Sequence, residues 1–314
     1  MVLIFSIKGD PSTNDVIDWL LYFGESYFRI NNVIDLELLI KQYPISTIHK
    51  KENRFTSVWY RKAPDMFLPI DILGNTKTDK DIRNFSYSEQ NGLLEAVYSS
   101  LEESKWLNHW SNSSPSKIKQ LLLAERIGLK VPNTIIVSTK EQLYDFFEQN
   151  EKIIIKPIQD MSPIEIDGDY YFQYTKSLKK KDIQNLKDIF FPCLLQKEVD
   201  KNMEVRSFYI NGRFYSMAIC SIFDTQTKMD FRRYNDSRPN RVVPYSLPAE
   251  IEQKLFEFMT KMNLNCGSVD LILDTLGDYY FLEVNPVGQF GMVSYPCNYY
   301  LEREIASFLT KDNR

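Results

Sequence analysis

Two short runs toward the C-terminal end carry the groups best suited to chemistry, Gly267-Ser268-Val269-Asp270-Leu271 and Phe281-Leu282-Glu283-Val284-Asn285-Pro286. Each is apolar enough to be a strand, and each delivers one carboxylate. Asn285 lies two residues past Glu283, and in an extended strand that spacing puts both side chains on one face. Two carboxylates and an amide oxygen form a hard-oxygen set, suited to magnesium bridging nucleotide phosphates. The same residues also read as an exposed edge hairpin, since acidic residues on strands commonly face water.

Other chemistries have less to work with. Cys193, Cys220, Cys266 and Cys297 are separated by 27, 46 and 31 residues without a C-x-x-C, and His49 and His109 are the only histidines. That argues against a zinc site or a disulfide framework and fits a reducing cytoplasm. Spacing leaves a Cys–His pair open, with buried thiols the plainer reading. The 42 acidic residues against 38 Lys and Arg give a net charge of −4, unlike the basic balance of a nucleic-acid binder. No apolar run approaches the roughly 18 residues of a membrane span. The opening Val2 to Ile7 has no basic leader before it, so it reads as a first strand and not a signal peptide.

With 314 residues, 43% hydrophobic and 14% aromatic, the chain can bury a sizeable core and form two or three domains. Residues 1–110 alternate strand and helix patterns, with strands at Val2–Ile7, Tyr27–Ile30 and Ser57–Arg61, and predict an N-terminal α/β domain. The polar run Asn108 to Ser116 marks a boundary. In 111–190, a helix through Ile118 and Ile127 closes on Gly128, and a buried strand ends on Lys156. The basic cluster at Lys176, Lys179, Lys180 and Lys181 reads as a solvated helix start. In 191–314, a hairpin turns at Asn211-Gly212, a helix spans Ala249 to Met262, and the two acidic strands precede a last helix, Tyr299 to Leu309.

Taken in order, Ser116-Lys117, Gly128 to Thr134, Lys156-Pro157, Gln196 to Val199, Glu204-Val205-Arg206 and the acidic strands resemble the ATP-grasp superfamily of carboxylate–amine/alcohol ligases over roughly residues 113–290. Asp10-x-Ser12-Thr13, Val58 to Lys62 and the run Glu283 to Phe290 are similar to the peptide-maturing branch, the microviridin-type graspetide synthetases. Within that branch the chain most resembles the maturases of grasp-with-spasm systems. The fold implied is α+β / α/β, an ATP-grasp fold with an N-terminal α/β domain. The resemblance implies ATP and Mg2+ as cofactors. Lys117 and Lys156 would contact the phosphates, and Gln196, Lys197, Glu198 and Val199 would form the adenine hinge. Glu204 would hold the ribose, Arg206 the transferred phosphoryl group, and Asp270, Glu283 and Asn285 the metal. Arg232 and Arg233 match a segment that supplies one arginine near the acyl phosphate, and strand alternation lets only one of them face it. One departure stands out: Gln159 to Pro163 contains no glycine, where many ATP-grasp enzymes carry a glycine-rich loop.

By resemblance the activity is ATP-dependent joining of Glu or Asp side chains of a ribosomal precursor peptide to Ser/Thr hydroxyls or Lys amines of the same peptide. The partner would be that peptide, its leader docking around Tyr170 to Leu186. No nucleic acid and no membrane are expected, and a homodimer stays open. The rivals are an ATP-grasp ligase that adds free amino acids to a peptide or protein tail, and a non-catalytic nucleotide binder.

Overall fold

The computed structural model describes residues 1–48, 55–65, 76–159, 164–166, 169–171, 175–222, 237 and 239–310. The chain divides into two compact units. Met1–Ser113, Leu264–Cys266 and Pro286–Arg314 form the first, and Ser114–Asn263 and Gly267–Asn285 form the second.

The first unit is built on four parallel strands, β1 (Val2–Phe5), β2 (Tyr27–Ile30), β3 (Ser57–Tyr60) and β4 (Lys105–Leu107), in the order β2-β1-β3-β4. β1 is buried along its whole length, as a strand covered on both faces must be. Helix α1 (Pro11–Tyr22) starts where physics favours it: Asp10 accepts a hydrogen bond from the Thr13 backbone N–H at 3.2 Å, and Pro11 occupies the first turn. Helices α2 (Val33–Gln42) and α3 (Lys77–Ser100) follow, and Leu3, Phe5, Ile30, Leu36, Leu39, Val58 and Val97 share one core.

The linear division of the sequence puts residues 286–314 with the C-terminal lobe, whereas their packing places them in the first unit. The cause is the apolar face of the last helix, Leu301–Thr310, whose Leu301, Ile305, Ala306 and Leu309 are buried. That helix packs on α1 and β3, and the Ser57 hydroxyl donates to the Leu309 carbonyl at 2.6 Å. Sequence pattern alone assigns neither α2 nor β4 nor the short helix Gly291–Cys297. The last of these carries an internal proline, Pro296, which argues against a helix locally.

The second unit opens with α4 (Lys117–Ile127), closed by Gly128 at φ 86°, the left-handed conformation that glycine adopts without strain. Strands β5 (Thr134–Thr139) and β6 (Ile153–Lys156) flank α5 (Lys140–Asn150) in sequence. A short hairpin, β7 (Ile164–Ile166) and β8 (Asp169–Tyr171), precedes β9 (Lys176–Leu178) and α6 (Lys180–Gln184). Lys176 therefore lies in a strand, and the helix begins at Lys180. With β10 (Ile189–Lys197) these strands form an antiparallel sheet in the order β5-β10-β6-β9.

The other sheet runs β13-β12-β11-β14-β15. β11 (Lys201–Ile210) and β12 (Arg213–Cys220) are joined at Asn211-Gly212, both at positive φ (43° and 88°), as a tight hairpin requires. β13 (Arg241–Tyr245), α7 (Ala249–Lys261), β14 (Cys266–Asp274) and β15 (Tyr279–Asn285) complete it. Phe258 of α7 meets Phe281 of β15 with ring centroids 4.8 Å apart. Among the described residues no helix is long and apolar enough to cross a membrane. α8 (Gly291–Cys297) and α9 (Leu301–Thr310) end the chain.

Candidate active site

Pairing of β14 with β15 puts Asp270 directly opposite Glu283, and Ser268 opposite Asn285. Facing residues of an antiparallel pair share a side of the sheet, with Cβ atoms about 5 Å apart. The four polar side chains thus line one face, while Val269 and Val284 are buried on the other. The register shifts by one residue just after Asp270, so Leu282 is an extra residue beside Glu283. Bulges of this kind re-aim side chains and are common beside sites.

This face opens onto a cleft that sets a few convergent polar groups against an apolar wall, as small-molecule sites do. Lys156, Gln196, Lys197, Val199, Glu204, Arg206, Asp270 and Glu283 all line it, with Pro132, Ile154, Ile219 and Leu271 as apolar wall. Lys117 stands one ion pair away, its Nζ 3.2 Å from Glu283 Oε2. That lysine occupies the first turn of α4, where a cation opposes the helix dipole. Its placement makes sense through the carboxylate it reaches and not through helix stability.

The hinge side is set by Gln196, which is 1% exposed on the central strand β10. Thr134 spends its hydroxyl proton on the Pro132 carbonyl (2.6 Å), so its oxygen accepts from Gln196 Nε2 (2.9 Å). This fixes the amide's orientation. Gln196 Oε1 is left buried without a hydrogen-bond partner among the described residues. A buried acceptor in that condition costs about 1–3 kcal/mol unless a ligand or water satisfies it. Sequence reasoning missed Thr134's part, because the two residues are 62 positions apart.

On β11, alternation puts Glu204 and Arg206 on one face, and both are buried at the cleft. Glu204 is held at both oxygens, by Lys201 Nζ at 2.8 Å and by the Ser221 hydroxyl. Arg206 Nη1 lies 3.3 Å from both oxygens of Asp270. The residues read as phosphoryl-binding and metal-binding therefore meet in ion pairs, Arg206 with Asp270 and Lys117 with Glu283.

Not every expected residue comes to the cleft. The Glu198 carboxylate turns to Ser177, accepting its hydroxyl at 3.3 Å, while the Glu198 backbone N–H binds the Lys152 carbonyl. Asn285 pairs with Ser268, two rungs from the Asp270–Glu283 pair, and lies outside the cleft lining. Arg232, Arg233 and most of the loop 159–163 lie outside the described residues. The cysteines are free thiols, and burial pushes Cys266 up to about 12, away from any nucleophilic thiolate.

Among the described residues no cluster of three or more His, Cys, Asp or Glu could hold a metal ion. The candidate set is sparser: two facing carboxylates and an amide. That fits magnesium, which binds through one or two carboxylates, keeps several waters and takes its remaining ligands from phosphate. It does not fit zinc or copper, which favour sulfur and imidazole ligands.

Residues 114–309 match the family model described as a RimK-like ATP-grasp domain. No curated protein matches the chain in sequence. Among solved structures, it resembles a Chryseobacterium gregarium RiPP-associated ATP-grasp ligase in complex with ADP and a leader and core peptide (TM-score 0.77, 21% identity, 98% of this chain and 94% of that one). It also resembles the macrocyclase MdnC from Microcystis aeruginosa MRC bound with precursor peptide MdnA (TM-score 0.77, 22% identity, 98% of each chain). A third is the ATP-grasp ligase PsnB complexed with a phosphomimetic variant of minimal precursor, Mg and ADP (TM-score 0.71, 15% identity, 100% of this chain and 98% of that one).

Proposed function

This chain belongs to the family of RimK-like ATP-grasp proteins, and on that premise we propose that it is an ADP-forming ligase that cross-links a ribosomally made precursor peptide. The observation that carries the reading is the facing pair Asp270–Glu283 in one cleft with Lys156, Arg206 and the buried acceptor of Gln196. The similarity over nearly the full length to a ligase bound to a leader and core peptide and to a macrocyclase bound to its precursor peptide supports the choice of substrate.

A carboxylate is a poor electrophile, which is the chemical reason for spending ATP. A Glu or Asp side-chain oxygen of the peptide attacks the γ-phosphorus, and ADP leaves with the bonding pair. A Ser/Thr hydroxyl or Lys amine of the same peptide then attacks the acyl carbon and expels phosphate, closing a lactone or lactam.

In this reading Lys117 and Lys156 bind phosphate oxygens, and Arg206 faces the transferring group, where a planar donor fork stabilises spread charge. Gln196 accepts from the purine amino group, and Lys197 and Val199 flank the base. Glu204 accepts from ribose hydroxyls while Lys201 and Ser221 hold it still. Asp270, Glu283 and Asn285 would hold magnesium, which offsets charge on the β- and γ-oxygens. Glu198 supports the hinge through its backbone, and one of Arg232 and Arg233 serves the acyl phosphate. Residues of β6 and β10 from one sheet and of β11, β12, β14 and β15 from the other line the cleft. Free cysteines support a cytoplasmic setting.

The test is incubation with ATP, magnesium and a short Thr/Ser/Lys- and Glu/Asp-rich peptide encoded beside this chain. Mass spectrometry should find one water lost per cross-link. A mass gain matching an added free amino acid would replace the reading with that of a tail-extending ligase.

A further inference from the structure

Asn108 follows β4 and is 2% exposed. Its Nδ2 donates to the carbonyls of Cys266 (2.7 Å) and Pro286 (3.1 Å). Its Oδ1 accepts from the backbone N–H groups of Asn265 (3.0 Å) and Cys266 (3.1 Å). An asparagine amide has two donor hydrogens and two acceptor lone pairs, and this one uses them all. In return, Asn265 Nδ2 donates to the Trp106 carbonyl at 2.7 Å.

The location gives this network its meaning. Cys266 is the first residue of β14, and Pro286 follows the last residue of β15. Beyond the Ser268–Asn285 pair, the Asn108 amide stands in for the next rung, joining both strand ends through a side chain. Val269–Val284 and then Asp270–Glu283 follow along the same ladder. Slipping a strand by one residue sends its side chains to the opposite face, so whatever pins this end decides whether the oxygens converge.

We propose that Asn108 is the positioning residue for the metal-binding strand pair, acting through the backbone at Cys266 and Pro286. The inference rests on the assignment of Asp270, Glu283 and Asn285 to the metal. Asn108→Asp keeps the shape and the acceptor but replaces the donors to both carbonyls with a charged oxygen that repels them.

The experiment titrates Mn2+ into the full chain loaded with ADP and follows the electron paramagnetic resonance signal of free Mn2+. ADP affinity is measured separately in EDTA. Asn108→Asp should weaken Mn2+ binding by about 10-fold or more, the range for partners that orient metal ligands, with metal-free ADP affinity nearly unchanged. Leu36→Ala, a cavity in the core of the first unit, controls for lost stability and should leave Mn2+ affinity alone. Wild-type Mn2+ affinity in folded Asn108→Asp, or an equal loss in Leu36→Ala, overturns the proposal. Should Asn108→Asp not fold, Asn108→Ser, which keeps a smaller donor and acceptor, is measured the same way and judged by the same outcomes. Glu283→Gln separates the two readings. If it keeps full Mn2+ affinity, the metal assignment falls and this inference with it. If it loses affinity while the Asn108 variants do not, only this inference falls.

Discussion

Around Arg61 and around Arg206 the chain buries the same kinds of groups, an arginine, a carboxylate and an amide, and the second set lines a cleft. Arg61 is 2% exposed, and the groups that hold it all belong to its own unit. Its Nε lies 3.2 Å from Asp10, Nη1 donates to the Val287 carbonyl, Nη2 donates to Gln289 Oε1 at 2.9 Å, and the Phe290 ring lies 5.7 Å away. Asp10 in turn accepts the Thr13 hydroxyl at 2.6 Å. In the second unit, Gln196 Oε1 and Ser268 Oγ are buried without hydrogen-bond partners among the described residues. A polar cluster closed on itself holds the chain together, whereas one with acceptors left over is built for something that binds. The Arg61 cluster therefore reads as architecture and the Arg206 cluster as site.

Exchanging the two arginines for alanine should break this contrast most visibly. Arg206→Ala should fold, keep ADP affinity within a few-fold and slow turnover by about 10³-fold or more, the range for a lost phosphoryl-stabilising arginine. Arg206→Lys should recover little, lacking the planar fork. Arg61→Ala should instead cost about 3–5 kcal/mol of stability by stranding the buried Asp10 charge, seen as a lower urea midpoint. Near-normal turnover in a folded Arg206→Ala variant would erase the distinction.

The closed cluster also makes a prediction about pH. Burial raises the Asp10 pKa, but the Thr13 hydroxyl and the charges of Arg61 and Lys62 outweigh it and hold the carboxyl below its ordinary range. A carboxylate depressed in the folded state adds stability above its unfolded value, roughly 3.9, and loses it as pH falls through the folded value. Asp10→Asn should lower stability at neutral pH and flatten the acid limb below about pH 4, measured by urea unfolding across pH. ADP affinity should not change.

A smaller effect is expected at the hinge. If the unsatisfied Gln196 oxygen accepts from the adenine amino group, ADP should bind about 10-fold better than inosine diphosphate, which has an oxygen there. Gln196→Met should remove that preference, as calorimetry would show. The smallest change should follow replacement of all four cysteines by Ser or Ala. With Cys266 pushed up to about 12 and no thiol in the cleft lining, cross-linking should continue. Loss of turnover in one folded single mutant would contradict this.

The facing carboxylates are legible in the amino-acid order, because strand alternation and the spacing of Asp270, Glu283 and Asn285 are local properties. Lys117 is legible only through the family resemblance, because a lysine at a helix start otherwise reads as an ordinary surface residue. The parts that escape depend on distant residues. Asn108 joins Cys266 from 158 positions away, and Ser57 binds Leu309 from 252. Periodicity carries no trace of such contacts. The Leu282 bulge escapes too, since one extra residue in a strand reads as ordinary alternation until its partner is known.

The central claim is that a peptide carboxylate is activated as an acyl phosphate at the cleft bordered by Arg206, Asp270 and Glu283. Phosphorus NMR of the full chain with ATP, magnesium, precursor peptide and hydroxylamine tests it most directly, with the peptide read by mass spectrometry. The account predicts ADP and phosphate, with a hydroxamate on a core Glu or Asp in place of the cross-link. AMP and pyrophosphate would mean the activated species is an adenylate, and the roles assigned to this cleft would be wrong.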